Sequence, residues 1–512
     1  MLRVRGCLAL AVSVSFFFPC SVASPADAFL RCLSAKIPGE LVYTQSSTNF
    51  TDVLSSSIRN TKFLTNATAR PLCIVTPSDA SHVQAAVLCG RGQGVRLRVR
   101  SGGHDYEGLS YRSVRPSEVF AVVDLGANLR AVRVNRLDST AWVDSGATIG
   151  ELYYAIAKND SRIAFPAGEC PTIGVGGHFS GGAIGMMMRK HGLSADVLDA
   201  TLVDADGRLL DRAGMGEDLF WAIRGGGGGN FGIVLSWKVQ LVQVPPTVAV
   251  FNIAKTVDQG AVDILTRWQH VAPSLPGDLT IRVIVQGQQA MFQALYLGAC
   301  GSLVATMGAQ FPELGMTSAE CQPMTWLQSA ATPFISFGRN GTLEEALLSR
   351  TAGQSGPGKI KSDYVRRAIP KAAWEEIFSW FTKDGAGFIL LEPHGGFMGS
   401  VPAAATPYPH RHGVLYVIQY IAFWQQGGDG AAATAWIGGL YDLMGQHVSK
   451  NPRRAYVNFR DLDIGQNDGT PKSGEVWGER YFVGNYWRLA AVKAAVDPTD
   501  YFSSEQSIPP LR

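Results

Sequence analysis

Hydrophobic residues recur along this chain with two spacings, the helical period of about 3.6 residues and the strand period of about 2. Together these patterns predict a protein that mixes helices with strands. Residues 71–104, PLCIVTPSDASHVQAAVLCGRGQGVRLRVRSGGH, have the pattern of a strand, a helix and a second strand. Pro77 and Ser78 are typical of a helix start, the glycines at 90–94 end the helix, and 95–100 alternates apolar residues with arginine. Further short strands are predicted at VFAVVDL and AWVDSGA, and a further helix at GELYYAIAK.

The same patterns divide the rest of the chain into two regions and a returning segment. A predicted helix, a loop of five glycines and a strand end at Pro245–Pro246, and this proline pair marks a domain boundary. Beyond it the chain mixes strands with amphipathic helices such as KAAWEEIFSWF, which is an α+β pattern. We therefore predict domains at 25–246 and 247–455, and a segment 456–512 that packs back on the first domain.

The first 24 residues predict a secretory signal peptide. Arg3 and Arg5 precede an apolar run from Leu8 to Phe18, and small residues follow in SVASPADA. This order of charge, apolar core and small residues is typical of secretion, with cleavage expected near Ser24 or Ala28. No later stretch approaches about 18 uninterrupted apolar residues, so we expect a secreted extracellular or cell-wall protein with no membrane span.

Charge and cysteine content narrow the possible partners and the compartment. A net charge of +3, with 17% charged residues, gives no reason to expect a nucleic-acid partner. Two of the eight cysteines lie in the predicted signal peptide, and most of the other six should pair in an oxidising compartment, with a connectivity that the spacing leaves open. N-glycans are expected at some of the Asn-x-Ser/Thr triplets at Asn49, Asn66, Asn159 and Asn340.

Two glycine-rich segments, each with a histidine after a glycine pair, are the strongest chemical signal. They are RVRSGGHDYEGLSYRS at 98–113 and FPAGECPTIGVGGHFSGGAIGMMMRKHG at 165–192. Each glycine alone is typical of a turn, but dense small residues also let the main chain lie flat against a large planar ligand. No phosphate-loop or dinucleotide motif accompanies them, and neither these segments nor HRH at 410–412 have the spacing of a metal site. We therefore expect no metal.

Six segments together resemble the berberine bridge enzyme-like flavoproteins of plants, which have the para-cresol methylhydroxylase-type FAD-binding fold. They are RSGGHDYEGLSYRS, CPTIGVGGHFSGG, FWAIRGGGGGNFGIV, PHRHGVLYVIQY, YVNFRDLD and VDPTDYFSSEQSIPPL. They occur in family order over about 32–511, and FPELGM and KSDYV are similar to the grass-pollen group 4 allergens. The resemblance implies an α+β fold: a two-subdomain FAD-binding domain at 25–246, and a substrate domain at 247–455 with an antiparallel sheet backed by helices.

The resemblance implies an FAD that is bound covalently at two positions. In the family, the histidine of SGGH bonds to the 8α-methyl group and the cysteine of CPT bonds to ring carbon 6, which here are His104 and Cys170. Cys170 should therefore lie outside any disulfide. We expect further cofactor contacts, although each glycine could instead serve only as a turn, from Gly102, Gly103, Tyr106, Ile173, Gly174, Gly176, Gly177, His178, Gly229, Gly232 and Asn485.

The resemblance also orders the remaining cysteines. Cys32 and Cys89 match the family's disulfide. Cys300 and Cys321 are the second pair that we expect. Cys73, in an apolar strand, is then a buried free thiol.

One strand of the second region carries the substrate-side signal. Alternate residues of VLYVIQYIAFW share a face, and Gln419 is a polar residue on an otherwise apolar face. Such an amide contacts either a substrate or a buried neighbour. In the family this position faces the flavin, so we interpret Gln419 as a substrate contact.

The residue that takes the substrate proton is less well defined. Tyr106 and Tyr456 are the candidates, but a phenol with a pKa of about 10 needs a nearby cation or hydrogen-bond donor to act as a base. Arg460 is close to Tyr456 in sequence, although it could simply pair with Asp461 or Asp463.

Three departures from the family pattern bear on the mechanism. Ile184 replaces a frequent tyrosine, Val417 replaces the lysine of monolignol-oxidising members, and Phe459 replaces the tyrosine proposed as the base of cannabinoid synthases. Phenol and ammonium groups both help to remove a hydroxyl proton. Their loss argues against either mechanism in this chain.

We therefore predict an FAD-dependent oxidoreductase, an oxidase or dehydrogenase, that takes a hydride from an alcohol or carbohydrate hydroxyl. Ile173 matches the family position that controls oxygen access, where a residue bulkier than valine slows the reaction with O2, so a dehydrogenase is favoured. The alternative is a flavin-carrying extracellular or pollen protein with vestigial activity. Carbon–carbon bond formation on an alkaloid-like substrate is disfavoured, because it requires a carboxylate where Gln419 stands.

Overall fold

The computed structural model describes residues 24–194, 196–335, 341–351, 356–468 and 470–511. Residues 1–23 of the predicted signal peptide (1–24), and Asn340 of the last glycosylation triplet, lie outside these ranges. Among the helices of the described ranges, none is both long enough and apolar enough to cross a membrane.

The first sheet contains the predicted strand–helix–strand segment. The elements here are α1 Pro25–Ser34, β1 Val42–Thr44, α2 Phe50–Ser55, β2 Cys73–Val75, α3 Ala80–Gln93, β3 Arg96–Arg100 and β4 Phe120–Asp124. The strand order is β1–β2–β4–β3, in which β1 is antiparallel to β2 and the other neighbours are parallel. The start of α3 differs from the prediction, because Asp79 and not Pro77 or Ser78 caps it by accepting hydrogen bonds from the backbone of the first turn. The helix ends at Gly94, whose φ of 68° is the left-handed conformation that glycine adopts freely.

The second sheet follows directly along the chain and is antiparallel. Its order is β5–β6–β10–β8–β9, with β5 Val132–Asn135, β6 Thr140–Asp144, β8 Asp199–Val203, β9 Leu209–Leu210 and β10 Ile233–Gln240. A two-stranded pair, β7 Ile163–Ala164 with β11 Val242–Gln243, lies beside it. The helices of this region are α4 Ile149–Asn159, α5 Val175–Ser180, α6 Met188–His191 and α7 Arg212–Ile223. The five-glycine loop joins α7 to β10, as the sequence predicts.

The third sheet has seven antiparallel strands and begins just after the predicted boundary at Pro245–Pro246. Its order is β15–β12–β14–β13–β17–β18–β16. The strands are β12 Val248–Thr256, β13 Leu279–Gln286, β14 Gln289–Tyr296, β15 Gln322–Met324, β16 Gly358–Val365, β17 Phe388–Pro393 and β18 Tyr416–Phe423. The intervening helices are α8 Ala261–Val271, α9 Cys300–Gln310, α10 Trp326–Ile335, α11 Leu343–Leu348, α12 Lys371–Trp380, α13 Gly396–Ser400 and α14 Ala431–Met444.

The two faces of the third sheet bury different side chains. Tryptophans of α8, α12 and α14 pack with Tyr416, Ile418 and Tyr420 of β18 in one apolar core. Val417, from the opposite face of β18, belongs to the core that also contains residues of the second sheet. The predicted alternation along this strand is therefore confirmed, and its second face is directed at the FAD-binding part of the chain.

The C-terminal segment, with α15 Pro471–Phe482 and α16 Tyr486–Val496, contacts the first sheet. Tyr501 and Phe502 belong to the same apolar core as α3 and β3. The Arg96 guanidinium donates to the backbone carbonyls of Asp500 and Tyr501 at 2.6 and 2.7 Å. The end of the chain thus closes the core from which its first strands are built.

Both expected disulfides are present in the structure. Cys32 of α1 is bonded to Cys89 of α3, and Cys300 is bonded to Cys321. Cys73 is a buried free thiol, as predicted. Cys170 is also unpaired, which leaves its sulfur available for other chemistry.

Candidate active site

A cavity of about 410 Å³ lies between the two glycine-rich segments and the second face of the third sheet. The structure brings nearly all of the sequence-predicted site residues to its wall. These are Gly102, Gly103, His104, Tyr106, Cys170, Ile173, Gly174, Gly176, Gly177, His178, Gly229, Gly232, Gln419 and Tyr456.

The glycines before His104 allow two loops to touch backbone to backbone. A Cβ atom on Gly102 would meet the Gly174 nitrogen at 2.3 Å, and a Cβ on Gly174 would meet the Gly102 nitrogen at 2.2 Å. Gly103 has a φ of 69°, and its Cβ would lie 1.7 Å from the Ser57 carbonyl oxygen. These positions leave no room for a side chain. Glycine at 102 and 174 therefore permits the close contact between the His104 loop and the Cys170 loop.

A second kind of glycine leaves the cavity itself open. A Cβ added at Gly177 or Gly229 would meet no atom within 4 Å, although both residues line the cavity. Gly229 also has a φ of 74°, which side-chain-bearing residues rarely adopt. The main chain at these positions can be approached closely by a ligand.

His104 and Cys170 share one hydrogen-bonding neighbour. The Thr172 hydroxyl lies 3.0 Å from His104 Nε2 and 3.5 Å from Cys170 Sγ. Burial and the nearby Arg59 charge lower the pKa of His104 to about 3, so the imidazole is neutral at ordinary pH. Burial raises the pKa of the Cys170 thiol, against the hydrogen bond from Thr172 and the charge of Arg59. Both groups are uncharged nucleophiles at the wall of one cavity.

Gln419 contacts Tyr106 across the cavity. Its Nε2 donates to the Tyr106 hydroxyl at 3.0 Å, which gives the amide one of the two partners considered from the sequence, a buried neighbour. Burial raises the pKa of Tyr106 to about 12, although the bond from Gln419 opposes this shift. Among the described residues, no donor reaches the Gln419 Oε1, so a polar ligand in the cavity can still bind the amide.

Tyr456 is held by two donors. Its hydroxyl accepts from the backbone N–H of Ala183 at 3.0 Å and from the Asn458 side-chain amide at 3.1 Å. Burial raises the pKa of Tyr456 above its usual range. Phe459 packs edge-on against the Tyr456 ring with centroids 4.9 Å apart.

Two of the predicted cofactor contacts have other partners. His178 Nε2 accepts the Gly168 N–H at 3.0 Å, and burial lowers the pKa of His178 to about 3, so this neutral ring fastens the Cys170 loop while lining the cavity. Asn485 is not brought to the cavity wall. Its amide donates to backbone carbonyls of the 403–407 segment, Ala403 at 2.8 Å and Thr406 and Pro407 at 3.2 Å.

Arg460 pairs with neither of the two aspartates suggested by its position in the sequence. It lies 3.0 Å from a carboxylate oxygen of Asp105, the residue after His104. Asp461 and Asp463 instead bind the ammonium groups of Lys359 and Lys361 of β16. Arg460 therefore ties the C-terminal segment to the His104 loop.

Two charged residues of the third sheet, Arg282 of β13 and Glu392 of β17, line the cavity and were not predicted from the sequence. Glu392 of β17 lines the cavity together with Glu169 and Arg282. Arg282 forms an ion pair with Glu169, and its Nε donates to Gln293 at 2.9 Å. Burial and the Glu169 charge raise the pKa of Glu392 to about 7, against the Arg282 charge. The signal was available, because Glu392 is the single acidic residue of the apolar strand FILLEP, as Gln419 is the single amide of its own strand.

Comparison with known proteins gives two family matches. Residues 71–212 match an FAD binding domain family, and residues 455–509 match the family described as berberine and berberine like. The chain is 56% identical to berberine bridge enzyme-like Cyn d 4 of Cynodon dactylon over 94% of this chain and 93% of that protein.

Two solved structures of a pollen protein are also similar. Wild-type Phl p 4.0202, described as a glucose dehydrogenase, is 53% identical with a TM-score of 0.92, covering 94% of this chain and 99% of that one. An isoleucine-to-valine variant of Phl p 4, described as a glucose oxidase, is 52% identical with the same TM-score and the same coverage.

Proposed function

This chain belongs to the berberine bridge enzyme-like family of FAD-dependent oxidoreductases, and from this membership we propose that it oxidises a carbohydrate hydroxyl with an FAD bonded to His104 and Cys170. The observation that carries the proposal is the single cavity on which His104, Cys170, Tyr106 and Gln419 all border. His104 and Cys170 come from the two glycine-rich segments, Tyr106 follows His104 in the first of them, and Gln419 comes from the third sheet on the opposite side. A planar cofactor between them would face a donor molecule held by the sheet.

The residues around the cavity fit an FAD on three counts. The glycine wall can be approached closely, because added Cβ atoms at Gly177 and Gly229 would project into empty space. His104 is a neutral imidazole with its Nε2 engaged by Thr172, which leaves Nδ1 as the nitrogen able to form a bond. Cys170 carries a free thiol. These features support the two covalent bonds that the family resemblance implies.

FAD, when bound, supplies a two-electron acceptor that takes a hydride from a donor carbon, and two electron-withdrawing attachments favour that transfer. The residues of this chain would bind and orient the donor. The Gln419 amide and the Tyr106 hydroxyl, already bonded to each other at 3.0 Å, offer a donor and an acceptor for a substrate hydroxyl. Tyr456 presents a hydroxyl whose oxygen is fixed by two donors, so its own proton can be directed to the cavity.

The polar groups on the substrate side support a carbohydrate donor. Gln419, Glu392, Glu169 and Arg282 border the same space, and a polyhydroxylated molecule can satisfy several such groups at once. The glucose dehydrogenase description of Phl p 4, 53% identical to this chain, supports the same class of donor. The losses at Ile184, Val417 and Phe459 count against monolignol or cannabinoid chemistry.

Ile173 supports slow reaction with O2, and hence a dehydrogenase. It borders the cavity beside Gly174, at the family position expected to control access of oxygen. A similar Phl p 4 protein is described as a glucose dehydrogenase in its wild-type form and as a glucose oxidase in an isoleucine-to-valine variant. A side chain one methylene larger than valine can fill the small space that O2 requires.

Secretion and glycosylation belong to the same proposal. Two disulfides close loops in the chain, which suits an oxidising compartment. Asn49, Asn66 and Asn159 are all exposed and therefore accessible to a glycan.

Two measurements test the proposed function. The first is anaerobic mixing of the purified yellow protein with a panel of sugars and simple alcohols: loss of the flavin absorbance with a sugar supports the proposal, and no reduction by any donor supports vestigial activity instead. The second is acid precipitation followed by peptide mapping. Flavin that remains on peptides containing His104 and Cys170 supports both bonds, and flavin that stays in the supernatant refutes them.

A further inference from the structure

Three strands of the third sheet direct polar side chains into the cavity from one face. Arg282 of β13, Glu392 of β17 and Gln419 of β18 all border it. The strands are adjacent, since β17 pairs with β13 on one side and with β18 on the other. In the β17–β18 register Glu392 is opposite Val417 and Leu390 is opposite Gln419, so Glu392 and Gln419 are diagonal neighbours on the same face.

Glu392 is the carboxylate of this group that has no structural partner. Glu169 is occupied by its ion pair with Arg282. Among the described residues, none donates a hydrogen bond to the Glu392 side chain. Its charge nevertheless acts on the phenols across the cavity, because it contributes to the raised pKa of both Tyr106 and Tyr456. A half-buried carboxylate without a hydrogen-bond donor among the described residues therefore borders the same cavity as Tyr106, Gln419 and Tyr456.

We propose that Glu392 is the residue that accepts the hydroxyl proton of the donor during its oxidation. This inference rests on the proposed function, and it assigns the base which the sequence left open between Tyr106 and Tyr456. In the balanced step, the carbinol C–H bond would break with its electron pair and a bound FAD would supply the hydride acceptor, while the O–H proton would move to the Glu392 carboxylate and the alcohol would become a carbonyl. The Glu392 proton then returns to solvent before the next turnover.

Proton affinities around the cavity favour the carboxylate over the phenols. A general base works best when its pKa is near the operating pH. Burial holds the pKa of Tyr106 at about 12 and that of Tyr456 above its usual range, so both are protonated where the enzyme would work. The pKa of Glu392, raised to about 7, leaves a large ionised fraction at neutral pH. The two phenols are then suited to donate hydrogen bonds to the substrate oxygen or to Glu392.

The charged residues near Glu392 indicate which substitution would change its pKa. Glu169 raises its pKa and Arg282 lowers it, after the larger effect of burial. Because Arg282 is engaged by Glu169, Glu169→Gln would both remove a repelling charge and release an attracting one. We therefore expect this variant to keep the base but to shift its titration to lower pH.

The test measures the rate of anaerobic flavin reduction by a reactive sugar from pH 5 to 9. A base must be ionised to accept a proton, so the wild-type rate should rise with pH through the titration of Glu392. Glu392→Gln, which keeps the size of the side chain, should lose about 10²–10⁴-fold in rate and lose the pH step. Glu169→Gln should retain the step at lower pH. Infrared difference spectra give a readout independent of turnover, since a carboxylic acid band that titrates in the wild type should be absent from Glu392→Gln.

The outcomes separate this inference from the proposed function. If the wild type is reduced by a sugar, and Glu392→Gln retains the rate and the pH step with full flavin content, the inference is overturned alone. It is overturned equally if Tyr456→Phe or Tyr106→Phe removes the step while Glu392→Gln does not. If no sugar or alcohol reduces the wild type, the proposed function fails and the base assignment fails with it.

Discussion

The two cavity tyrosines allow a paired test of stability, because their hydroxyl oxygens accept hydrogen bonds from different kinds of donor. Tyr456 and Tyr106 both border the cavity, and replacing either with phenylalanine removes one oxygen atom. The Tyr456 oxygen accepts the backbone N–H of Ala183, a fully buried residue in the positive-φ conformation at 63°. Among the residues that the structure describes, the Tyr106 hydroxyl oxygen accepts a hydrogen bond from the Gln419 side-chain amide alone, at the cavity wall.

The expected cost follows from what each donor can do after the oxygen is lost. In Tyr456→Phe the Ala183 N–H is left buried without a partner, which costs about 1–3 kcal/mol in the free energy of unfolding. Asn458, the second donor, keeps its bond to the His178 carbonyl at 2.9 Å and adds little. In Tyr106→Phe the Gln419 amide can bind water in the cavity, so we expect a loss below about 1 kcal/mol.

Equilibrium unfolding in guanidinium, followed by tryptophan fluorescence, distinguishes the two variants. Tyr456→Phe should unfold at a clearly lower denaturant concentration with an unchanged slope, whereas Tyr106→Phe should unfold close to the wild type. Flavin content must be matched, since a bound cofactor stabilises the folded state. Equal midpoints for the two variants would refute the view that Tyr456 braces the Ala183 turn.

Three further predictions concern the cofactor and the disulfide. Ile173→Val should accelerate reoxidation of the reduced flavin by air while leaving anaerobic reduction by the donor unchanged; stopped-flow traces check both, and equal reoxidation rates would contradict an oxygen-gating role. His104→Ala and Cys170→Ala should each retain flavin through the remaining bond, whereas the double variant should release it on denaturation, as mass spectrometry of the intact protein would show; release from either single variant would mean one bond only. Replacing Cys32 and Cys89 with serine opens a loop with a sequence separation of 57 and should cost about 4 kcal/mol, read from the denaturant midpoint, and an unchanged midpoint would contradict it.

The fold was largely predictable because, along most of the chain, the hydrophobic periodicity and the glycines and prolines at the ends of elements indicate the same helices and strands. Gly94 and Pro245–Pro246 end elements where the sequence suggests, and the alternation around Gln419 correctly separates the two faces of β18. The start of α3 was predicted at Pro77 and Ser78, whereas Asp79 caps the helix, and only the backbone geometry distinguishes between such neighbouring positions.

The site was predictable where residues cluster in sequence and less so where distant segments meet. His104 and Cys170 stand in glycine-rich motifs that resemble those of the flavoprotein family, and this resemblance implied that both border one cavity. Arg460 finds Asp105 rather than its own neighbours, because the nearby aspartates are taken by lysines of β16. Glu392 acquires its character from Glu169 and Arg282, which come from other elements. The sequence around Glu392 therefore does not reveal the charges that shift its pKa.

The abutting main chains at Gly102 and Gly174 have a consequence for maturation. His104 and Cys170 can border one cavity only when their two loops are in contact. This contact leaves no room for a side chain at Gly102 or Gly174. Under the proposed attachment, covalent flavin that stays on the protein after denaturation would therefore mark molecules in which the two loops had already folded together. The ratio of visible to ultraviolet absorbance in a purified batch would then grade how much of it had matured.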